Sequence, residues 1–296
     1  QNVKEIEWFM RAVYELPTHD TSYEQGLIRT RINQLEQQLG EMGGQSAGLA
    51  HYAIGRGYLA LHEYPHAYSH LSESAKTGNQ SLELHHALGR VLGLKYYEAI
   101  SAERRSGDAA WFEVRRKQIE KELLEPALAH LQQSRGVQLE STSYLEGLIA
   151  YYDHRFDEAL AHADLAVRES PWLYEAKQLK GDVYYERADA ARVRGERAKM
   201  ESDIAAAIRM YDEAAAIGRS DVAVYESSAE AWFFRLQERK DGDPPLETLL
   251  PLALKPCRDA ILISPQRTRG YQQAASMHLL VAENLQSDGG DPTAQR

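Results

Sequence analysis

The stretch Gly48-Leu49-Ala50-His51-Tyr52-Ala53-Ile54-Gly55-Arg56-Gly57-Tyr58-Leu59-Ala60-Leu61-His62-Glu63-Tyr64-Pro65-His66-Ala67-Tyr68-Ser69-His70-Leu71 decides the fold. It reads as two helices. Apolar and small residues recur at three- and four-residue spacing up to Leu61, and Tyr64-Pro65 starts a second run, with proline suited to a first helical turn. With Gly48 as position 1, Ile54, Gly55, Tyr58, Ala67 and Leu71 fall on positions 7, 8, 11, 20 and 24. Small residues at 8 and 20 let two helices approach closely, and bulky residues at 11 and 24 fill the space around that contact.

The same ruler fits the rest of the chain. A second unit starts at Leu82, with Leu88, Gly89 and Leu92 at 7, 8 and 11, and Ala127 and Leu131 serving as 20 and 24 after a delay. A third starts at Glu140, where Gly147, Ala159, Ala163, Ala166 and Pro171 fit 8, 20, 24, 27 and 32. A fourth starts at Tyr174 (Gly181, Tyr184, then Ala207, Tyr211 and Ala214), and a fifth near Val222 (Ala229, Trp232, then Ala253, Cys257, Ala260 and Pro265). Thr268 to Leu285 reads as a lone closing helix. This pattern resembles the tetratricopeptide (TPR) repeat, a helix pair of ~34 residues. Glu146 and Lys180 depart from it at position 7, where Leu is usual. The expected fold is all-α: a TPR-like right-handed superhelix of antiparallel helix pairs, with extended helices in repeats 2, 4 and 5. A generic array of helical hairpins is the alternative.

Three domains are expected: an N-terminal helical pair and linker over 1–46, an array of about five repeats plus the closing helix over 47–286, and a disordered tail over 287–296. In the N-terminal pair, Ile6, Phe9, Met10, Val13 and Leu16 form one apolar stripe, and Leu27, Ile28, Ile32, Leu35 and Leu39 the other. In repeat two, Ser106-Gly107-Asp108 reads as a turn with Asp108 as helix cap, and Pro126 breaks or kinks the following helix. Repeat four turns near Gly195, and repeat five at Asp241-Gly242-Asp243-Pro244-Pro245. Trp111 and Phe112 lie on the repeat-two extension, where they pack against a neighbouring arm or anchor a partner.

Composition removes several function classes. Net charge is −10, which disfavours a phosphate backbone, and the short basic stretch Arg192 to Lys199 reads as a solvated connection. The single cysteine, Cys257, can form no internal disulfide. No apolar run approaches the ~20 residues that span a bilayer. No signal peptide opens the chain, and a start at Gln1 rather than Met reads as a piece of a longer polypeptide. His62-Glu63-Tyr64-Pro65-His66 has the letters of the zinc-protease motif H-E-x-x-H, but Pro65 and the turn position of His62 disfavour the single helix that this chemistry requires. His66 with His70, and His85 or His86 with a neighbour, read as exposed helix histidines rather than metal ligands. Cys257 sits at a core register position. No glycine-rich phosphate loop occurs, and no catalytic residue, metal or cofactor is expected.

The first helix (A) of each pair is expected to line a concave groove through positions 5, 9, 12 and 13. Position 5 holds Tyr52, His86, Tyr144, Gln178 and Glu226; position 9 holds Arg56, Arg90, Leu148, Asp182 and Glu230. Tyr151, Tyr152, Tyr185, Phe233 and Phe234 occupy 12 and 13. The groove candidates are therefore Tyr52, Arg56, His86, Arg90, Tyr144, Tyr151, Tyr152, Tyr185 and Phe233: cationic first, aromatic in the middle, then acidic. Arginines one repeat apart hold carboxylate or phosphate and aromatics bury peptide side chains. The opposing reading pairs Arg56 and Arg90 with glutamates such as Glu83.

Beyond the repeat, three stretches resemble the C-terminal region of bacterial serine/threonine protein kinases: Val3-Lys4-Glu5-Ile6-Glu7 through Leu16-Pro17-Thr18-His19-Asp20-Thr21 and Ile28-Arg29-Thr30-Arg31; His51 through Leu61; and Glu146-Gly147-Leu148-Ile149-Ala150-Tyr151 with Ser170-Pro171-Trp172-Leu173-Tyr174-Glu175-Ala176. That resemblance implies a kinase domain upstream, often with a membrane segment between. This chain would be the regulatory part, cytoplasmic, or extracytoplasmic if such a segment precedes it. The expected function is a non-catalytic protein-interaction or sensor module. It binds a protein or peptide, not nucleic acid, and does not itself insert into a membrane. The alternative is a self-association scaffold that dimerises through the extended helices.

Overall fold

The computed structural model describes residues 2–105, 109–138, 141–240 and 242–287. They form helices and no strand: α1 (Asn2–Glu15), α2 (Ser22–Leu39), α3 (Gly44–Ala60), α4 (Tyr64–Lys76), α5 (Leu82–Arg105), α6 (Ala109–Ile119), α7 (Glu125–Gln133), α8 (Thr142–Tyr152), α9 (Phe156–Glu169), α10 (Tyr174–Val193), α11 (Arg197–Ala215), α12 (Val222–Gln237), α13 (Leu246–Ile263) and α14 (Thr268–Ser287). The expected turn at 106–108 with its Asp108 cap, the start at Glu140, Asp241 and the tail from 288 lie outside the described residues. By internal packing the chain divides into two compact units: Gln1–Ala12 with Tyr23–Ser170, and Val13–Ser22 with Pro171–Arg296.

In the first unit the hairpins α3/α4, α5/α7 and α8/α9 are the first three repeats. Gly55 and Gly89 show why position 8 is small. A Cβ on Gly55 would lie 2.7 Å from Leu71 Cγ and 3.1 Å from the Ala67 carbonyl; on Gly89, 2.6 Å from Leu131 Cγ and 3.0 Å from the Ala127 carbonyl. Ala67, Leu71, Ala127 and Leu131 are completely buried, as are Ala159, Ala163 and Ala166 in α9. Burying one such leucine contributes roughly 1.5–3 kcal/mol. The α3/α4 hairpin joins the next through a core of Tyr64, Ala67, Leu71, Leu84, Ala87, Leu88 and Val91.

Local sequence sets the ends of these helices. Ser141 caps α8 by accepting the Tyr144 amide at 3.1 Å. Pro65 sits in the first turn of α4. The A-to-B turns of repeats one and three each place a histidine, His62 and His154, in the left-handed region at φ 57°. Pro126 does not break the chain's helical path. A π-helical segment, Glu120–Leu124, precedes it, and the Glu125 amide reaches back to the Glu120 carbonyl. Proline has no amide to donate, and the wider turn accommodates its ring.

The hairpins of repeats one and two share a polar contact that hydropathy patterning does not suggest. His51 Nδ1 meets His70 Nδ1 at 3.1 Å, and His85 Nδ1 meets His130 Nδ1 at 2.8 Å. Counted from Gly48 and Leu82, with Ala127 as position 20, both pairs occupy positions 4 and 23. In each, one imidazole must donate its Nδ1 hydrogen and the other accept it. The expectation of exposed histidines therefore holds for His66 but not for His70, His85 or His86: positions 4 and 5 of helix A and position 23 of helix B face other helices.

In the second unit α10 and α11 form the longest hairpin, and they turn at Gly195. Gly181 again faces position 24, here Tyr211, whose ring carbon would lie 2.5 Å from an added Cβ. Tyr185, Ala188, Met200, Ile204, Ala207, Tyr211 and Phe234 share one core. Asp221 caps α12 through the Ala223 amide and accepts the Tyr174 hydroxyl at 2.7 Å. Residues 13–22 pack in this unit. The Ser220 amide donates to the Tyr14 carbonyl at 2.8 Å, the Thr18 hydroxyl to the Arg219 carbonyl at 3.0 Å, and both the Thr21 amide and hydroxyl to the Ile263 carbonyl at 3.0 Å. Thr21 thus satisfies a carbonyl left open at the end of α13.

Candidate partner-binding faces

The A-helix positions divide into a polar set and a packed aromatic set. In the first unit Tyr52 and Arg56 lie one turn apart on α3. Arg56 Nη1 donates to the Tyr52 hydroxyl at 2.5 Å, its guanidinium lies 5.5 Å from the Tyr52 ring centre, and Nη2 pairs with Glu7 of α1. Burial raises the Tyr52 pKa, partly offset by Arg56. His86, on α5, is buried and its Nε2 has no hydrogen-bond partner. Burial, then Arg90 and Arg56, hold it well below the ordinary imidazole range, so it is neutral. Arg90 is half-buried beside it. The acid that meets Arg56 is thus Glu7 rather than Glu83. The sequence contained a signal for this, an acidic residue set between the buried Ile6 and Met10 of an amphipathic helix.

The middle aromatics are more deeply placed. Tyr151 and Tyr152 are 4% and 6% exposed, whereas Tyr144 is half-buried. Tyr151 stacks on Tyr97 with ring centres 5.7 Å apart, and Tyr152 presses on Gly93, where any Cβ would overlap its phenol. In the second unit Tyr185 is buried against Phe234, 5.6 Å between centres, and Phe233 is half-buried against the core of α12, α13 and α14.

The acidic positions are engaged as well. Glu226 accepts Arg267 Nε at 2.5 Å and Nη2 at 3.1 Å, and Gln273 donates to its carbonyl at 2.9 Å. Arg269 stands 3.9 Å from both Glu226 and Glu230. Asp182 accepts the Tyr211 hydroxyl at 2.8 Å, and burial pushes its carboxyl up to about 7. Charges that read as groove lining in one dimension are therefore met within the chain: Arg56 by α1, Asp182 by α11, and Glu226 by Arg267 and α14.

His62, in its left-handed turn, and His66, inside α4, do not share a helix as H-E-x-x-H chemistry requires. Among the described residues no group of three or more His, Cys, Asp or Glu could hold a metal. Burial pushes the Cys257 thiol up to about 11, away from the thiolate that nucleophilic chemistry needs. Among the same residues no helix is long and apolar enough to cross a membrane. On the α6 extension Trp111 keeps 55% of its surface exposed, more than the cover expected for it, while Phe112 is half-buried.

No protein-family profile and no curated relative matches the sequence. Solved structures with a similar fold include the Cut9–Hcn1 hetero-tetramer of the APC/C, at 16% identity over 90% of this chain and 48% of that one, with a TM-score of 0.36. Others are the C-terminal part of a TPR repeat-containing protein from Cytophaga hutchinsonii (10% identity, 85% and 96% coverage, TM-score 0.34) and the TPR2AB domain of yeast Sti1 in complex with pHSP90 (18%, 82% and 87%, 0.26). The chain spans about half the length of the first of these. The small-on-large joints of Gly55 with Leu71, Gly89 with Leu131 and Gly181 with Tyr211 recur at one register, so the described residues form an all-helical array of antiparallel helix pairs.

Proposed function

We propose that this chain is a non-catalytic protein-interaction module that binds a partner polypeptide on the A-helix face of its first unit. One observation carries the reading. Arg56, Arg90 and the neutral His86 stand together on α3 and α5, and their side chains take no part in the glycine-centred joints that hold the hairpins. Guanidinium groups set among aromatic rings suit an acidic peptide. A displayed random-peptide library selected on the full chain tests this. Enriched sequences are expected to carry an acidic residue, and Arg90→Glu is expected to weaken their binding by at least about tenfold. Undiminished binding by Arg90→Glu removes the reading.

The resemblance of the three stretches quoted above supports a finer proposal, that the parent protein is a serine/threonine kinase and this array its regulatory part. The residues encoded upstream of Gln1 test it; a sequence there without kinase signatures would remove it. A second reading rests on Trp111 and Val114, both more than half exposed on α6: self-association through the extended helices. Light scattering across a concentration series reads this directly, and dimerisation that persists in Trp111→Ala counts against it.

A further inference from the structure

Resting on that reading, we propose that α1 is a ligand in cis: Glu7 occupies, from within the chain, the carboxylate seat at Arg56, and the partner is a helical segment bearing an acidic residue between apolar anchors that competes for it. The seat is built. The Arg56 side chain is 17% exposed, and its two terminal nitrogens are engaged by the Tyr52 hydroxyl and the Glu7 carboxylate. Its Nε is buried without a hydrogen-bond partner, as is Nε2 of His86. Such atoms are costly to leave unsatisfied, and a differently placed polar ligand could reach them.

The occupant is patterned like a ligand. Ile6 and Met10, one helical turn apart, are buried on either side of Glu7, while Trp8 stays 63% exposed. This is how an amphipathic helix anchors in a groove, through apolar residues at i and i+4 with a charge to fix register. The hold differs in kind from the repeat joints. Leu71 and Ala67 are sealed against Gly55, whereas the Glu7 side chain is about a third exposed, and an ion pair of that exposure is weak. The cis helix prevails through its high effective concentration, so a partner's apparent affinity is reduced by the fraction of seats already filled.

Fluorescence anisotropy of a labelled peptide spanning residues 2–12, titrated with the full chain, tests the proposal. The Glu7→Gln chain should bind it about tenfold more tightly than wild type, because its own helix competes less. Adding Arg56→Gln to that chain should abolish the gain. Hydrogen exchange on the wild-type chain with excess unlabelled peptide should show faster exchange at α1 amides. Equal affinity for wild type and Glu7→Gln, binding indifferent to Arg56, or unchanged α1 protection would each overturn the cis-ligand. Library peptides that still depend on Arg90 would then leave the interaction module itself standing.

Discussion

Repeats one and two solve the same steric problem as repeat four with different chemistry. In all three a glycine at position 8 receives a large residue from the second helix. In the first two that residue is Leu71 or Leu131, and the polar contact is a histidine pair at positions 4 and 23. In repeat four it is Tyr211, whose hydroxyl needs an acceptor and finds Asp182 at position 9. Burying a leucine is silent to protons, whereas burying a tyrosine brings a carboxylate inward with it. A single repeat geometry thus holds imidazoles that burial disfavours charging in repeats one and two, and a carboxyl that burial pushes up to about 7 in repeat four.

The largest effect separating these regions should come from Leu131→Ala. Leu131 is completely buried, so the loss is expected to be about 3 kcal/mol in urea denaturation. Gly55→Val should cost about 2 kcal/mol through overlap with Leu71 and the Ala67 carbonyl, whereas Gly26→Ala, inside α2 with open space around it, should gain about 0.5–1 kcal/mol. A loss at Gly26 similar to that at Gly55 would mean that close approach is not what position 8 demands.

Asp182→Asn sharpens the electrostatic half of the comparison. The folded carboxyl sits at about 7 against an ordinary 3.8, so the folded state keeps a proton that the unfolded chain releases. Its stabilisation is present below pH ~3.8 and fades as pH rises through about 7. The Asn variant should therefore be more stable than wild type at pH 8, by on the order of 1–3 kcal/mol, with the gap closing towards pH 4.

The histidine pairs should act in the opposite direction and more weakly. Burial lowers both His70 and His130, and their partners His51 and His85 add to it. Around His70 the groups that bear on the titration are Glu36, His66 and Glu73, with Glu36 and Glu73 opposing the shift. A depressed imidazole gives stability that is present above pH ~6.5 and lost as pH falls below it. The His70→Gln/His130→Gln chain should show a flatter stability profile between pH 6.5 and 5, by about 1 kcal/mol. A slope unchanged from wild type would assign the acid sensitivity to other groups.

Much of the fold was legible in one dimension. Gly55 with Leu71, Gly89 with Leu131 and Gly181 with Tyr211 were all placed by register, because close helix approach requires small residues at fixed intervals. The site was less legible. Glu226 was read as groove lining, yet it lies under Arg267. Tyr152 was read the same way, yet it fills the space over Gly93. A repeat ruler tells which face of a helix a residue occupies but not which distant segment covers that face. Glu226 is met by Arg267, in the turn before α14, and Tyr152 meets Gly93 from the next repeat, and the register of a single repeat names neither partner.

The sequence by itself determined the helix pairs, their order and the joints within them, because those contacts recur at fixed repeat positions and are written in side-chain size. The tertiary structure decided how the charges pair, since Glu7 meets Arg56 and Arg267 meets Glu226 from segments that lie outside the repeat register. Electrostatic partners are chosen by distance in space, and no periodicity along the chain encodes that choice.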